Sequence, residues 1–478
     1  MAPTAYILTT SLELWLVGSS VRQLRPRGDI FTSALFAFRS AEYDATLQRL
    51  TGDNSVRASF LRARVLSRQG LFDRAIDELK THKLEDLKDS EGAELMAILS
   101  MAQVANRNME SVVEQLTTGR FFACSAGSVA LEAEIEFATA GYFYAIGDYA
   151  SASNALNRLL QPTPIGSPWR KACSTTHSLE EIRARAYDLL GHIAARDHRF
   201  SEQANLIYLG FSELDGLVGF DHFIESQMLS NLASIGVDRD VVGVYEFVRN
   251  RVAIMDFPGA CIEKEFEIRR KIGSCASMHG DHVGALREFR RSSEIAPSRA
   301  SKIKALLDRS ALASELNEFV FAREESDFAL ELTRQVDWSA ASSAEIIALL
   351  AMAQNLATHN SVEARRQFNF FCEYKKKLNP FQSDATDLGL TGRECQIDAL
   401  ISRGEGNNER SVRLNLDALD IFKRVGYVGS AATAAVEIYE LTRERSYLEF
   451  AASYSKKIPQ SHLARRVDRH CNASTLTA

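Results

Sequence analysis

Proline is scarce in this chain, nine in 478 residues. Long stretches therefore carry nothing that would interrupt a helix. Cysteine is sparse and unpatterned. The seven, Cys124, Cys173, Cys261, Cys275, Cys372, Cys395 and Cys471, stand singly, with no CxxC. An odd, scattered set excludes a disulfide framework and fits the reduced thiols of a cytoplasmic protein. Charge of one sign is not in excess: 56 Lys and Arg face 62 Asp and Glu, a net of −6. No overall field draws nucleic acid to such a chain. No run approaches the roughly 18 apolar residues of a membrane span. The opening "MAPTAYILTTSLELWLVGSS" is apolar, but no Lys or Arg precedes it and Glu13 interrupts it. Residues 1–30 therefore read as an amphipathic capping segment and not as an export signal. Signatures of catalysis are missing as well: HExxH, GxSxG, GxGxxG and GxxxxGK[ST] do not occur. The reading is of a non-enzyme with no cofactor and no metal.

What the chain does have is ordinary globular composition, 46% hydrophobic and 25% charged, and an internal repeat. Ten-residue windows align as "GLFDRAIDEL" from Gly70, "GDYASASNAL" from Gly147, "HRFSEQANLI" from His198, "GDHVGALREF" from Gly280 and "NEFVFAREES" from Asn317. Looser copies start at Ala41, Arg107, Gly236 and His359. The third position is aromatic in Tyr43, Phe72, Tyr149, Phe200 and Phe319; the sixth is alanine in Ala75, Ala152, Ala285, Ala322 and Ala364. The tenth is apolar in Leu50, Leu79, Leu116, Leu156, Ile207, Tyr245, Phe289 and Phe368. The starts advance by about 40 residues per step, a period that signals a solenoid of stacked units. A small or polar first residue permits a tight turn between two helices. Alanine sits where the helices approach most closely, and the tenth position lies one turn further along the same buried face. Capping boxes mark helix starts at Ser178 with Glu181, Ser342 with Glu345 and Thr391 with Glu394. No strand alternation with hairpin turns is evident, so the fold class is all-α, built of antiparallel helix pairs.

The pair His279 and His282, with Cys275 one turn upstream, resembles a metal site at first sight. But His282 falls in the aromatic column and His279 just before the turn, so packing accounts for both, and a metal needs further ligands close by.

The columns resemble the tetratricopeptide family. Gly273, Gly280, Ala285, Phe289 and Pro297 fall at family spacings, as do Tyr187, Leu190 and Gly191. The resemblance implies a right-handed superhelical array over residues 31–456, followed by a tail over 457–478. The longer units, with "ALDIFKRVGYVGSAATAAVEIYELT" near the end, are also similar to the helical regulatory arm of large LuxR-type transcription regulators. Their DNA-binding module has one echo here, "LTGRECQIDALISRGEGNNE" from Leu390, but Asp417 and Asp420 follow in place of a basic recognition face. The second functional reading is accordingly a sensor arm without its own DNA-binding domain, responding to a partner or a small effector.

In the tetratricopeptide family the first helices line a concave groove. The resemblance places Arg57, Phe60, Arg64, Arg68, Tyr144, Arg185, His192, Arg196, Arg270 and Lys304 on that face. Guanidinium groups suit carboxylates, so the leading reading is a scaffold that binds a protein surface or acidic peptide in the groove, without membrane or direct nucleic-acid contact. The plain alternative is that these cations pair with carboxylates along the helices. One step, from Gly147 to His198, is longer than the others. Its excess falls in a proline-bearing loop insertion over 161–178, where Trp169, Arg170 and Lys171 are candidates for a contact.

Overall fold

A computed structural model describes residues 30–161, 177–197, 199–215, 217, 220–239, 243–255, 262–338, 341, 343–377, 384–456 and 461–475. Among them are 23 α-helices and no strand. The chain divides into two compact units, one of Met1–Met228 with Phe257–Cys261, the other of Leu229–Asp256 with Ile262–Ala478. Each is a stack of antiparallel helix pairs.

The first unit runs α1 (Ile30–Arg39), α2 (Tyr43–Arg49), α3 (Val56–Arg68), α4 (Phe72–Lys80), α5 (Asp89–Ala105), α6 (Val112–Ala126), α7 (Val129–Ala145), α8 (Tyr149–Leu160), α9 (Leu179–Arg196) and α10 (Phe200–Leu214). Helix α11 (His222–Arg239) follows. The second unit continues with α12 (Val244–Ile254), α13 (Ile262–Met278), α14 (His282–Ile295), α15 (Arg299–Glu315), α16 (Phe319–Arg334), α17 (Ser343–Leu356) and α18 (Ser361–Tyr374). It ends with α19 (Asp384–Gly404), α20 (Asn408–Arg424), α21 (Val428–Thr442), α22 (Arg445–Ser455) and α23 (His462–Thr475).

The window columns have the expected physical roles. Their first residues turn the chain in the left-handed region: Gly70, Gly147 and Gly280 at φ 75°, 84° and 78°, with Ala41, Arg107 and Asn317 accepting the same geometry despite a Cβ. Asp148 and Asp281 cap the helices that follow, accepting from the amides of Ser151 and Gly284. The sixth-position alanines and the tenth-position residues are all buried. Close approach within a pair is visible at Gly273, where a Cβ would stand 2.5 Å from the ring of Phe289. Gly392 relates to Phe422 in the same way, at 2.8 Å.

Four expectations change. The window at Gly236 is misplaced: Gly236 lies inside α11, and the turn is made at Gly243, φ 84°. The aromatic column does not always fill a corner, since Phe319 is 65% exposed. Thr391 and Glu394 form no capping box, because α19 begins at Asp384 and carries both in its interior. And the α19–α20 turn at Gly406 (φ 81°) is an additional repeat without the window signature, because its sixth and tenth positions are Ser411 and Asn415 in place of alanine and an aliphatic. The box at Ser178 and Glu181 is present, with Ser178 Oγ accepting at 3.2 Å and Glu181 Oε2 at 2.6 Å. Ser342 lies outside the described residues, as do residues 1–29, most of the 161–178 insertion and parts of the tail.

Ser411 and Asn415 are buried one helical turn apart on α20, and Ser411 Oγ, Asn415 Oδ1 and Asn415 Nδ2 have no hydrogen-bond partner among the described residues. Each orphaned buried group costs about 1–3 kcal/mol. Restoring the column with Ser411→Ala and Asn415→Leu together should therefore stabilise the second unit by about 2 kcal/mol, read as a raised urea midpoint. A lowered midpoint would mean that these groups are satisfied in solution.

Candidate functional site

The odd-numbered helices of the first unit lie side by side, and charged residues face one another across them. Arg64 on α3 is the centre. Its Nη2 donates to Glu94 Oε1 on α5 at 3.2 Å, and its Nη1 to Glu134 Oε1 on α7 at 3.0 Å. Arg185 on α9 approaches the same Glu134 oxygen at 3.7 Å, with its guanidinium 4.1 Å from the centre of the Phe137 ring. All of this is buried or nearly so, and water cannot substitute for a missing partner.

The network then reaches across the unit. Arg64 Nη1 lies 3.4 Å from His177 Nδ1, 113 residues on, and His177 Nε2 lies 3.3 Å from Asp221 Oδ2. An arginine only donates, so the tautomer that satisfies both contacts carries its proton on Nε2. Arg68 Nη2 donates to the same Asp221 oxygen at 2.7 Å and stacks over Phe223 at 3.9 Å. Arg39 on α1 reaches Glu181 at 3.5 Å, and Glu181 Oε1 accepts from the Asp221 amide at 2.8 Å. The first unit thus winds until α1 and α3 meet the starts of α9 and α11.

The electrostatics follow from this enclosure. Burial alone would raise the Glu134 carboxyl, but the guanidinium groups, Arg64 first and then Arg185, outweigh it and hold it well below the usual carboxylate range. Asp221 is likewise held low against burial, chiefly by Arg68. Arg185 is pushed down to about 10 by burial, with Arg68 and Arg64 repelling it and Glu134 opposing.

The predicted groove residues therefore divide. Arg64, Arg68 and Arg185 are brought together, but as members of an internal network. Phe60 is only 2% exposed, packed edge-on to His82, and offers a ligand nothing, a correction to its placement on the groove. Arg57 is exposed, 5.5 Å from the Phe31 ring. Tyr144, His192 and Arg196 remain at a partly exposed surface. There the Arg196 guanidinium stands 4.4 Å from the Tyr149 ring centre and 5.4 Å from that of Tyr144; its Nε is buried without a hydrogen-bond partner among the described residues. His192 lies 3.8 Å from Asp188 on the same helix. Trp169, Arg170 and Lys171 lie outside the described residues.

In the second unit Arg270 on α13 pairs with Asp308 on α15 and with Glu267, and Lys304 approaches Glu267 at 3.7 Å. Further along, Arg403 on α19 and Arg466 on α23 both bind Glu437 and Glu440 on α21. His279 stacks on Tyr245 at 5.4 Å, and His282 Nε2 meets Arg465 at 3.3 Å. Among the described residues no group of three or more His, Cys, Asp or Glu is placed to hold a metal, and no helix is long and apolar enough to cross a membrane.

Sequence reasoning missed His177 and Asp221. Only the capping box immediately after His177 hinted that the end of the loop insertion is anchored.

No protein-family model matches the chain, and no curated protein matches it. Among solved structures it is similar to yeast Tom70 at 11% identity and a TM-score of 0.38, over 94% of this chain and 95% of that one. It is similar to the apo form of RapI at 11% identity and 0.41, over 93% and 99%. It is also similar to the APC/C hetero-tetramer Cut9-Hcn1 at 13% identity and 0.30, over 96% and 98%.

Removing Arg64 strands two buried carboxylates. Arg64→Met should cost about 3–5 kcal/mol, measured by urea unfolding. The pH dependence has a definite sign. Glu134 and Asp221 titrate below their unfolded values of about 4, so their contribution is complete above that pH and is lost as pH falls. The urea midpoint of the natural chain should decline from about pH 5 towards pH 3; a flat midpoint across that range contradicts the network.

Proposed function

We propose that the protein is a non-enzymatic scaffold of the cytoplasm that binds a partner protein through an acidic segment on the α7–α9 surface of its first unit. The observation that carries this reading is Arg196. Its neighbours Arg64, Arg68 and Arg185 spend their charge on internal carboxylates. Among the described residues, Arg196 has aromatic rings beside it in place of an anion. A guanidinium braced by Tyr144 and Tyr149 keeps its direction while leaving its outer edge for an incoming carboxylate. Tyr144 supplies apolar area at low entropic cost, and His192 adds a second polar group one turn away. Stacked helix pairs give such a surface a rigid base, and binding there needs no chemical step on the ligand.

The test is capture of a partner from lysate on the immobilised chain, with proteins identified by mass spectrometry. Arg196→Glu combined with Tyr144→Ala should weaken recovery of any stoichiometric partner by tenfold or more, about 1.4 kcal/mol, with the helical circular-dichroism signal unchanged. Equal recovery by the variant would reject this surface.

A further inference from the structure

The even-numbered helices of the second unit carry a feature that the inner network does not use. At the fourth window position stand Val283, Val320 and Val362, on α14, α16 and α18. They are 81%, 76% and 80% exposed. A single exposed valine is ordinary. Three at one structural position on three successive even helices form a row with the period of the solenoid. The first unit has Asp44, Asp73, Glu110, Ala150 and Ser201 at the same position, so the turn itself does not demand an apolar residue there.

A parallel row of charge lies one helical turn further on. Arg287, Arg323 and Arg366 follow their valines by three or four residues, a spacing that puts each pair on one face. Their side chains are 71%, 75% and 61% exposed. Their acidic neighbours, Glu288, Asp327 and Glu363, belong to their own helices and stand off at 3.8, 3.7 and 3.7 Å. Contacts that long and that exposed hold a guanidinium weakly. Leu286 and Phe319, also exposed, widen the apolar row beside it.

We propose that the α14–α16–α18 face of the second unit docks an acidic segment of a partner protein, its apolar side chains over the valines and its carboxylates on Arg287, Arg323 and Arg366. This rests on the scaffold reading but places contacts on a face distinct from the α7–α9 surface. Apolar area supplies most of the affinity, and the arginine row selects acidic partners and sets their register.

The test uses the full chain and fluorescently labelled peptides in which leucine alternates with glutamate, measured by anisotropy. Control peptides carry glutamine or lysine in place of glutamate. The glutamate peptide should bind, and both controls should bind at least about tenfold more weakly. The triple variants V283S/V320S/V362S and R287E/R323E/R366E should each weaken it by roughly tenfold or more. All six positions are exposed, so circular dichroism and the urea midpoint should match the natural chain. The peptides are also titrated against the R196E chain, in which the α7–α9 surface no longer competes for them; there the glutamate peptide should still bind, and each triple variant should still weaken it by roughly tenfold or more. If R196E abolishes binding and the triple variants do not, the outer face is rejected while the scaffold reading stands. If no peptide binds and no partner is captured from lysate, both fall. Equal binding of the glutamine peptide overturns the charge assignment. Valine variants that abolish self-association of the chain, or its cosedimentation with phosphatidylserine vesicles, without changing peptide binding give the row to a second copy or to a lipid surface and overturn the proposal.

Discussion

A guanidinium taken out of water needs an anion, and Arg64 has two. Glu94 and Glu134 come from the next two odd-numbered helices, so satisfying one side chain fixes the spacing of three helices. The same demand then propagates. Glu134 is shared with Arg185, and His177 links Arg64 to Asp221, where Arg68 completes the balance. Apolar columns bring helices together without choosing among nearby registers. Paired charges in a poor dielectric are far less tolerant, because a slip of one turn strands them. In the second unit the shared carboxylates Glu437 and Glu440 tie α19, α21 and α23 by the same logic.

The architecture was legible because its columns are local. Alanine at the sixth position and an apolar residue at the tenth are five and nine residues from the turn that explains them. Misreadings arose where that local signal was ambiguous or absent. "GVDRDVVGVY" at Gly236 and "GVYEFVRNRV" at Gly243 both open with Gly-Val and end apolar, and only backbone conformation separates them. The turn at Gly406 was missed because polar Ser411 and Asn415 occupy its core positions. Of the candidate site, the sequence singles out Arg64, Arg68 and Arg185, which the structure gathers around Glu134 and Asp221. What they bind could not be read, since His177 and Asp221 lie 113 and 153 residues away and no periodic pattern connects such distances.

The two faces of the helix pairs consequently do different work. Odd-numbered helices spend charge inwardly, which leaves Arg196 and its tyrosines as an exception on α9. Even-numbered helices bury alanine and the tenth residue, while Val283, Val320 and Val362 on three of them stay exposed. Recurrence of valine and arginine there is a property of the surface and not a requirement of the fold.

The fit of Phe289 against Gly273, and of Phe422 against Gly392, has an evolutionary corollary. Ring and hollow belong to adjoining helices and lie within about 30 residues of each other in the gene. A duplication of a whole helix pair copies both halves of the fit together, so the array can lengthen by complete cassettes. A recombination break inside a pair would part the ring from its hollow, and such products should be purged, which biases the lineage towards insertions that respect the boundaries between pairs.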